Sequence, residues 1–98
     1  MERDKCSASL ITIRTTGSGA KPMTGDMIDT TGACATRKFT CVGLNANLEW
    51  WSNGASLGAT LDGGSGTAKA TLTCNAAGTA WTFQPDTTPI TQVECAYA

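Results

Sequence analysis

Histidine is absent from this 98-residue chain, which removes the usual general base, Ser-His-Asp chemistry and most transition-metal sites. Charge is scarce too. Seven basic and eight acidic residues leave a net −1, too weak a field to draw in nucleic acid or an anionic membrane. The one basic cluster, Arg37-Lys38, reads as a solvated strand face. No apolar run approaches the roughly 20 residues of a membrane span, so membrane insertion is not expected. MERDKC is not followed by the apolar stretch of a signal peptide, so the chain reads as cytosolic or as a mature or excised piece of a secreted protein. Paired acids are also lacking. Asp26 and Asp29, three apart, are the couple to consider, and they read as surface rather than as a glycosidase pair. The Gly-rich run after Asp62 has neither the Lys-Ser/Thr ending of a phosphate loop nor the acidic ladder of a calcium loop, and reads as a hinge. No catalytic residue, metal or cofactor is expected, and the chain is not read as an enzyme.

What is present in unusual proportion is cysteine, with Cys6, Cys34, Cys41, Cys74 and Cys95 in a chain rich in Thr, Gly and Ser. Spacings of 27, 6, 32 and 20 intervening residues include no C-x2-C pair and suit a compact zinc cluster poorly. Disulfides formed in an oxidising compartment are the better reading, which places the protein outside the cell. Five is odd, so one thiol is left over, either because its partner lies outside this piece or because it bridges to another chain. Cys41 and Cys74 both fall on inner strand faces, and a bond between them is the expectation. It is one among fifteen, since five choices of odd cysteine each leave three pairings of the other four.

The strand pattern is clearest in Gly66–Gln84. Ala68, Ala70, Leu72 and Cys74 alternate with Lys69, Thr71, Thr73 and Asn75, the period of two that marks one buried and one wet face. Asn75-Ala-Ala-Gly78 supplies a turn, and Trp81 and Phe83 face inward on the returning strand. Ser9–Thr15 is a short strand with Ile11 and Ile13 on one face, and Asp26–Thr31 a brief one. Thr36–Gly43 carries Phe39 and Cys41 inward, with Val42 on the outward set. Leu48–Ser52 leads into Asn53-Gly54, the pair favoured in type I′ hairpins. Ala55, Leu57, Ala59 and Leu61 then read as an inner face. Ile90–Ala96 closes the chain, with Val93 and Cys95 on one side and Gln92 and Glu94 on the other. Gly17–Gly25 and Pro85–Pro89 read as turns. Seven to eight short strands with no helical period predict an all-β fold, a single antiparallel β-sandwich of immunoglobulin-like or Greek-key type stapled by disulfides. Residues 1–5 form a lead-in and 6–98 the domain. Its expected core includes Phe39, Trp50, Leu72, Trp81 and Phe83.

Adjacent strand residues point to opposite faces, so Trp50 and Trp51 cannot share one core. Leu48 places Trp50 inside. Trp51 then faces out with Glu49 and Asn47, as a lid over the sandwich rim or as a platform for a partner or a sugar ring.

The run from Cys34 to Cys41, then TLTCNAAGTAWTF, then ITQVEC resembles the six-cysteine nematode extracellular domain, sometimes called the C-six domain. The likeness spans the chain from Cys6 onward and is most specific in T-L-T-C-N, G-T-x-W and the closing V-x-C. By position Cys34, Cys41, Cys74 and Cys95 match that family's last four cysteines, and Cys6 matches one of its first two. The sixth is missing here. In that family the first and third cysteines tend to be lost together, which implies a bond between them. If Cys6 is the first of the set, the resemblance pairs it with Cys34; if it is the second, Cys34 is the orphan. The family implies a secreted, often modular context and no catalytic residue. A weaker likeness to immunoglobulin modules in LTCNAAGTAW and VECAYA reflects shared sandwich physics, because 20 residues between Cys74 and Cys95 are too few for their usual bridge.

These readings lead to a secreted structural or interaction module. It would contact other protein chains, copies of itself among them, through strand edges and the odd cysteine. Strand SLITIRT lacks flanking charge or proline to blunt it. The alternative is a small carbohydrate- or ligand-binding module using Trp51, Glu49 and Asn47.

Overall fold

The computed structural model describes residues 5–16, 19–83 and 86–98. Most of the lead-in, the Gly17-Ser18 part of the first loop and the Gln84-Pro85 start of the last turn lie outside these. Among the described residues, a 3-10 turn at Ala8–Leu10 is followed by nine strands: β1 Thr12–Arg14, β2 Ala20–Lys21, β3 Gly25–Asp29, β4 Thr36–Val42, β5 Asn47–Ser52, β6 Ala55–Leu61, β7 Thr67–Cys74, β8 Trp81–Thr82 and β9 Gln92–Ala96. They form an all-β fold of two packed sheets. The antiparallel sheet runs β3-β4-β7-β8. The mixed sheet runs β1-β9-β5-β6, with β2 also on β9.

Local chemistry places the turns. Asn53 and Gly54 have φ of 50° and 86°, the two positive values that a type I′ hairpin requires between β5 and β6. Asn75 closes the β7–β8 turn with its own side chain, whose Oδ1 accepts the backbone N–H of Thr79 at 2.8 Å and of Ala80 at 3.3 Å. The segment after Asp62 is a tied turn rather than a hinge. Its two carboxylate oxygens accept N–H of Gly64 and Gly66 at 2.9 and 3.0 Å, and its carbonyl accepts the Ser65 hydroxyl at 2.7 Å.

The core lies between the sheets, where Phe39, Leu48, Leu72, Trp81 and Val93 are fully buried. Trp50 is 3 % exposed, and Phe83, half-buried, packs edge-to-face on it with ring centroids 4.7 Å apart. Trp81 donates its indole N–H to the Ser7 carbonyl at 3.0 Å, which draws the N-terminal segment across β8. Val42, on the outward set of β4, is indeed exposed.

Four further readings of the sequence need correction at the level of the fold. The bond expected between Cys41 and Cys74 is not made. The bridges are Cys6–Cys74 and Cys41–Cys95, and Cys34 is free. Cys41 and Cys74 lie in neighbouring strands but out of register, since Cys41 faces Ala68. Cys74 therefore meets the N-terminal segment, and Cys41 meets the facing sheet. Each bridge closes a long loop, with separations of 68 and 54 residues, worth about 4 kcal/mol each in the chain-entropy account. The sandwich is also not wholly antiparallel, because β1 runs parallel to β9. Seven strands separate β1 from β9 in the chain, so no tight turn obliges the two to pair antiparallel.

Arg37 is buried rather than solvated, at 2 % exposure, because it shares the inward parity of Phe39 and Cys41. Asp26 neutralises it through two contacts of 2.8 and 2.7 Å, and the Ala8 carbonyl takes a third donor at 3.0 Å. Lastly, β6 turns its apolar residues outward. Leu48 faces Thr60 and Trp50 faces Gly58, so Thr60 and Gly58 look inward while Ala59 and Leu61 look out. Leu57 is 47 % exposed and Leu61 72 %. A shift of one residue exchanges every side chain between faces of a strand.

Candidate functional site

Strand alternation brings Asn47, Glu49 and Trp51 to the outer face of the mixed sheet, as expected. Their neighbours across the sheet were not legible. One row runs Arg14, Glu94, Glu49, Ala59; the next carries Thr12, Gln92, Trp51 and Ser56. Of the two readings of Trp51, lid or open platform, the burial of the ring matches the lid. The indole is 9 % exposed, and the Arg14 guanidinium lies 4.1 Å from its ring centroid. Trp51 is a lid over this face, held down by a cation. Glu49 is half-buried, and its Oε2 accepts the Ser56 hydroxyl at 3.1 Å. Glu94 faces outward on β9, as its parity requires, yet it is only 7 % exposed and its Oε1 has no hydrogen-bond partner. Two carboxylates opposite each other on neighbouring strands oppose association of those strands.

The second feature is the free edge of β6. Among the described residues β6 pairs only with β5, and its other side is open. All seven residues, ASLGATL, are uncharged, and none is proline. The unblunted edge expected at the N-terminus is therefore found here instead. The N-terminal strand β1 is only three residues long and ends on Arg14.

Register slips between Trp50 and Trp51, whose partners are Gly58 and Ser56, so Leu57 has no residue opposite. This bulge is possible because Gly58 takes φ of +113°, a conformation that side-chain-bearing residues rarely adopt. Beside it lies a cavity of about 340 Å³. Trp50 and Phe83 form its floor, Leu57 to Thr60 one wall, and Asp86 with Thr88 the other. Asp86 Oδ1 accepts the Thr88 backbone N–H at 3.1 Å and its hydroxyl at 3.0 Å. Those bonds, the backbone one first, hold the Asp86 carboxyl below the ordinary Asp value. Sequence reasoning missed this wall. Its available signals were the Asp-Thr-Thr turn pattern and a glycine inside a strand.

Cys34, half-buried, sits two residues ahead of β4. Its neighbour Ala35 accepts the Cys74 backbone N–H at 2.9 Å, so this stretch of backbone lies beside the strand that carries the Cys6–Cys74 bridge. Among the described residues no group of three or more His, Cys, Asp or Glu side chains could hold a metal ion.

With both bridges and the two-sheet frame in place, the model of the C6 domain family matches residues 6–95. This chain belongs to the C6 domain family. No curated protein and no solved structure matches it. Of the two alternatives the resemblance left for Cys34 in a five-cysteine C6 domain, the bridges observed leave Cys34 as the orphan. Disulfides in a C6 domain are consistent with an extracellular location.

Proposed function

We propose that this C6 domain is a secreted, non-catalytic interaction module that joins other chains, copies of itself among them, by strand addition at β6. The observation that carries this reading is the seven-residue edge itself. It has no charge and no proline, among the described residues it has no neighbour on its outer side, and it exposes Leu57 and Leu61. Natural sheets usually blunt such an edge, and one left open is a template for another strand. Cys34 adds a thiol that can lock a contact covalently where the partner offers another.

Sedimentation of the oxidised protein at micromolar concentration tests the reading, beside Cys34→Ser and an Ala55→Lys/Leu61→Lys variant. Both lysines fall on exposed positions of β6 and leave the core untouched. Association that weakens in the double-lysine variant is expected, with Cys34→Ser removing only a covalent fraction. A protein that stays monomeric throughout, and whose association with other chains is indifferent to the two lysines, would sink the proposal. The alternative of sugar binding on Trp51 has less support, because Arg14 covers that ring.

A further inference from the structure

The cavity beside β6 has the size of a small-ligand site and an asymmetric lining. Its floor is aromatic, with Trp50 and Phe83 at right angles, an interplanar angle of 89°. The Trp50 indole, 3 % exposed, donates its N–H to the Thr60 hydroxyl at 3.1 Å and backs the cavity, so the ring surface on offer is that of the half-buried Phe83. Among the described residues Asp86 is the one charged residue of the lining, which includes no Lys or Arg. Thr88 engages Oδ1 of that carboxylate twice, through its backbone N–H and its hydroxyl. Ring surface followed by a lone carboxylate suits an apolar stem that ends in a cation.

The way in is set by the bulge. Gly58 stands opposite Trp50 with nothing within 4 Å of where a Cβ would be, so β6 itself leaves the mouth of the cavity open at this position. That side is also the free edge. A strand added to β6 would send alternate side chains inward, toward the cavity, and the others outward. Main-chain pairing would supply affinity and the cavity would supply selection.

We infer that β6 and this cavity form one peptide site, in which an extended segment of another chain adds to β6 and inserts a Lys or Arg side chain along Phe83 toward Asp86. This rests on the proposal that β6 is a docking edge and adds to it the chemistry of the partner.

The test is calorimetric titration of the oxidised protein with the blocked peptide Thr-Val-Thr-Lys-Thr-Val-Thr. Two controls carry norleucine or Glu in place of the Lys. The Lys peptide is expected to bind about tenfold more tightly than the norleucine peptide, the ratio that one added charge contact of ordinary strength supplies. The Glu peptide should bind more weakly still. Asp86→Asn should bring the Lys peptide down to the norleucine level, and Ala55→Lys/Leu61→Lys should weaken all three. Equal binding of Lys and norleucine peptides, or a preference that survives in Asp86→Asn, overturns the cationic pocket while the docking edge stands. Failure of all three peptides while the protein still self-associates through β6 overturns it in the same way. Failure of the peptides together with loss of β6-dependent association removes both readings. Quenching of tryptophan fluorescence by an N-acetylglucosamine trimer, with no response to the Lys peptide, overturns it in favour of a sugar site.

Discussion

Strands β6 and β7 follow one another across a five-residue turn and are built from the same few residue types, ASLGATL and TAKATLTC. They end in opposite states. β7 lies between β4 and β8 and buries Ala68, Leu72 and Cys74 on one face. β6 has one neighbour, and its apolar residues face solvent. The difference does not come from composition. A strand with partners on both sides has its register set twice over, once by each ladder, and its inner face is pinned by packing. An edge strand answers to one ladder only. Here that ladder contains a bulge, which lets the apolar set turn away from the core. What the bulge gives back is the cavity over Trp50 and an edge that another chain can read.

Truncations at and around the two strands sharpen this contrast. Trp81→Ala, in β8 beside β7, should cost about 3–5 kcal/mol. Chemical denaturation measures it, and a mutant within 1 kcal/mol of the parent would show that the β7 side is not the rigid one. Leu72→Ala in β7 should follow at about 2–4 kcal/mol, whereas Leu61→Ala in β6 should stay within about 0.5 kcal/mol. Equal losses from the two leucines would erase the comparison and place Leu61 in a packed environment. Gly58→Ala should cost about 1–3 kcal/mol through its φ of +113° alone, since the added methyl meets no atom. A neutral Gly58→Ala would mean that the bulge relaxes easily, and its amide exchange should then be fast.

The smallest effect concerns acid. Asp29 is held below its ordinary value of 3.8 by the Thr31 hydroxyl first and by the Thr31 N–H second, and Asp86 by Thr88. Each folded-state value lies below the unfolded one. Their stabilisation is therefore complete above 3.8 and fades as pH falls through the lower folded-state values. Both groups are exposed, so the urea midpoint should drop only slightly in that window, and Asp29→Asn/Asp86→Asn should flatten the drop. A midpoint that falls as steeply in the double variant would assign the acid sensitivity elsewhere.

Much of the frame was written in local pattern. The alternation of β4, β7 and β9 identified the inner faces carrying Phe39, Leu72 and Cys95, and Asn53-Gly54 announced its hairpin, because these signals depend on residues close together in the chain. Trp50 was placed inside by Leu48 two residues earlier. The same reasoning failed for β6, where a bulge shifted the parity, and for Arg37, where alternation pointed inward but charge argued for solvent. Asp26 settled that conflict from another strand.

The sequence by itself determined an all-β domain of the C6 family with disulfides, an odd cysteine and a core around Trp50, Trp81 and Phe39. These follow from composition and from periods of a few residues. Only the tertiary structure decided that Cys6 meets Cys74 and Cys41 meets Cys95, that β1 runs parallel to β9, and that Arg14 covers Trp51. It also decided that Asp86 stands across a cavity from β6. Each of these joins residues far apart in the chain, and such a contact is chosen by how whole sheets stack and close rather than by any preference of the residues that make it.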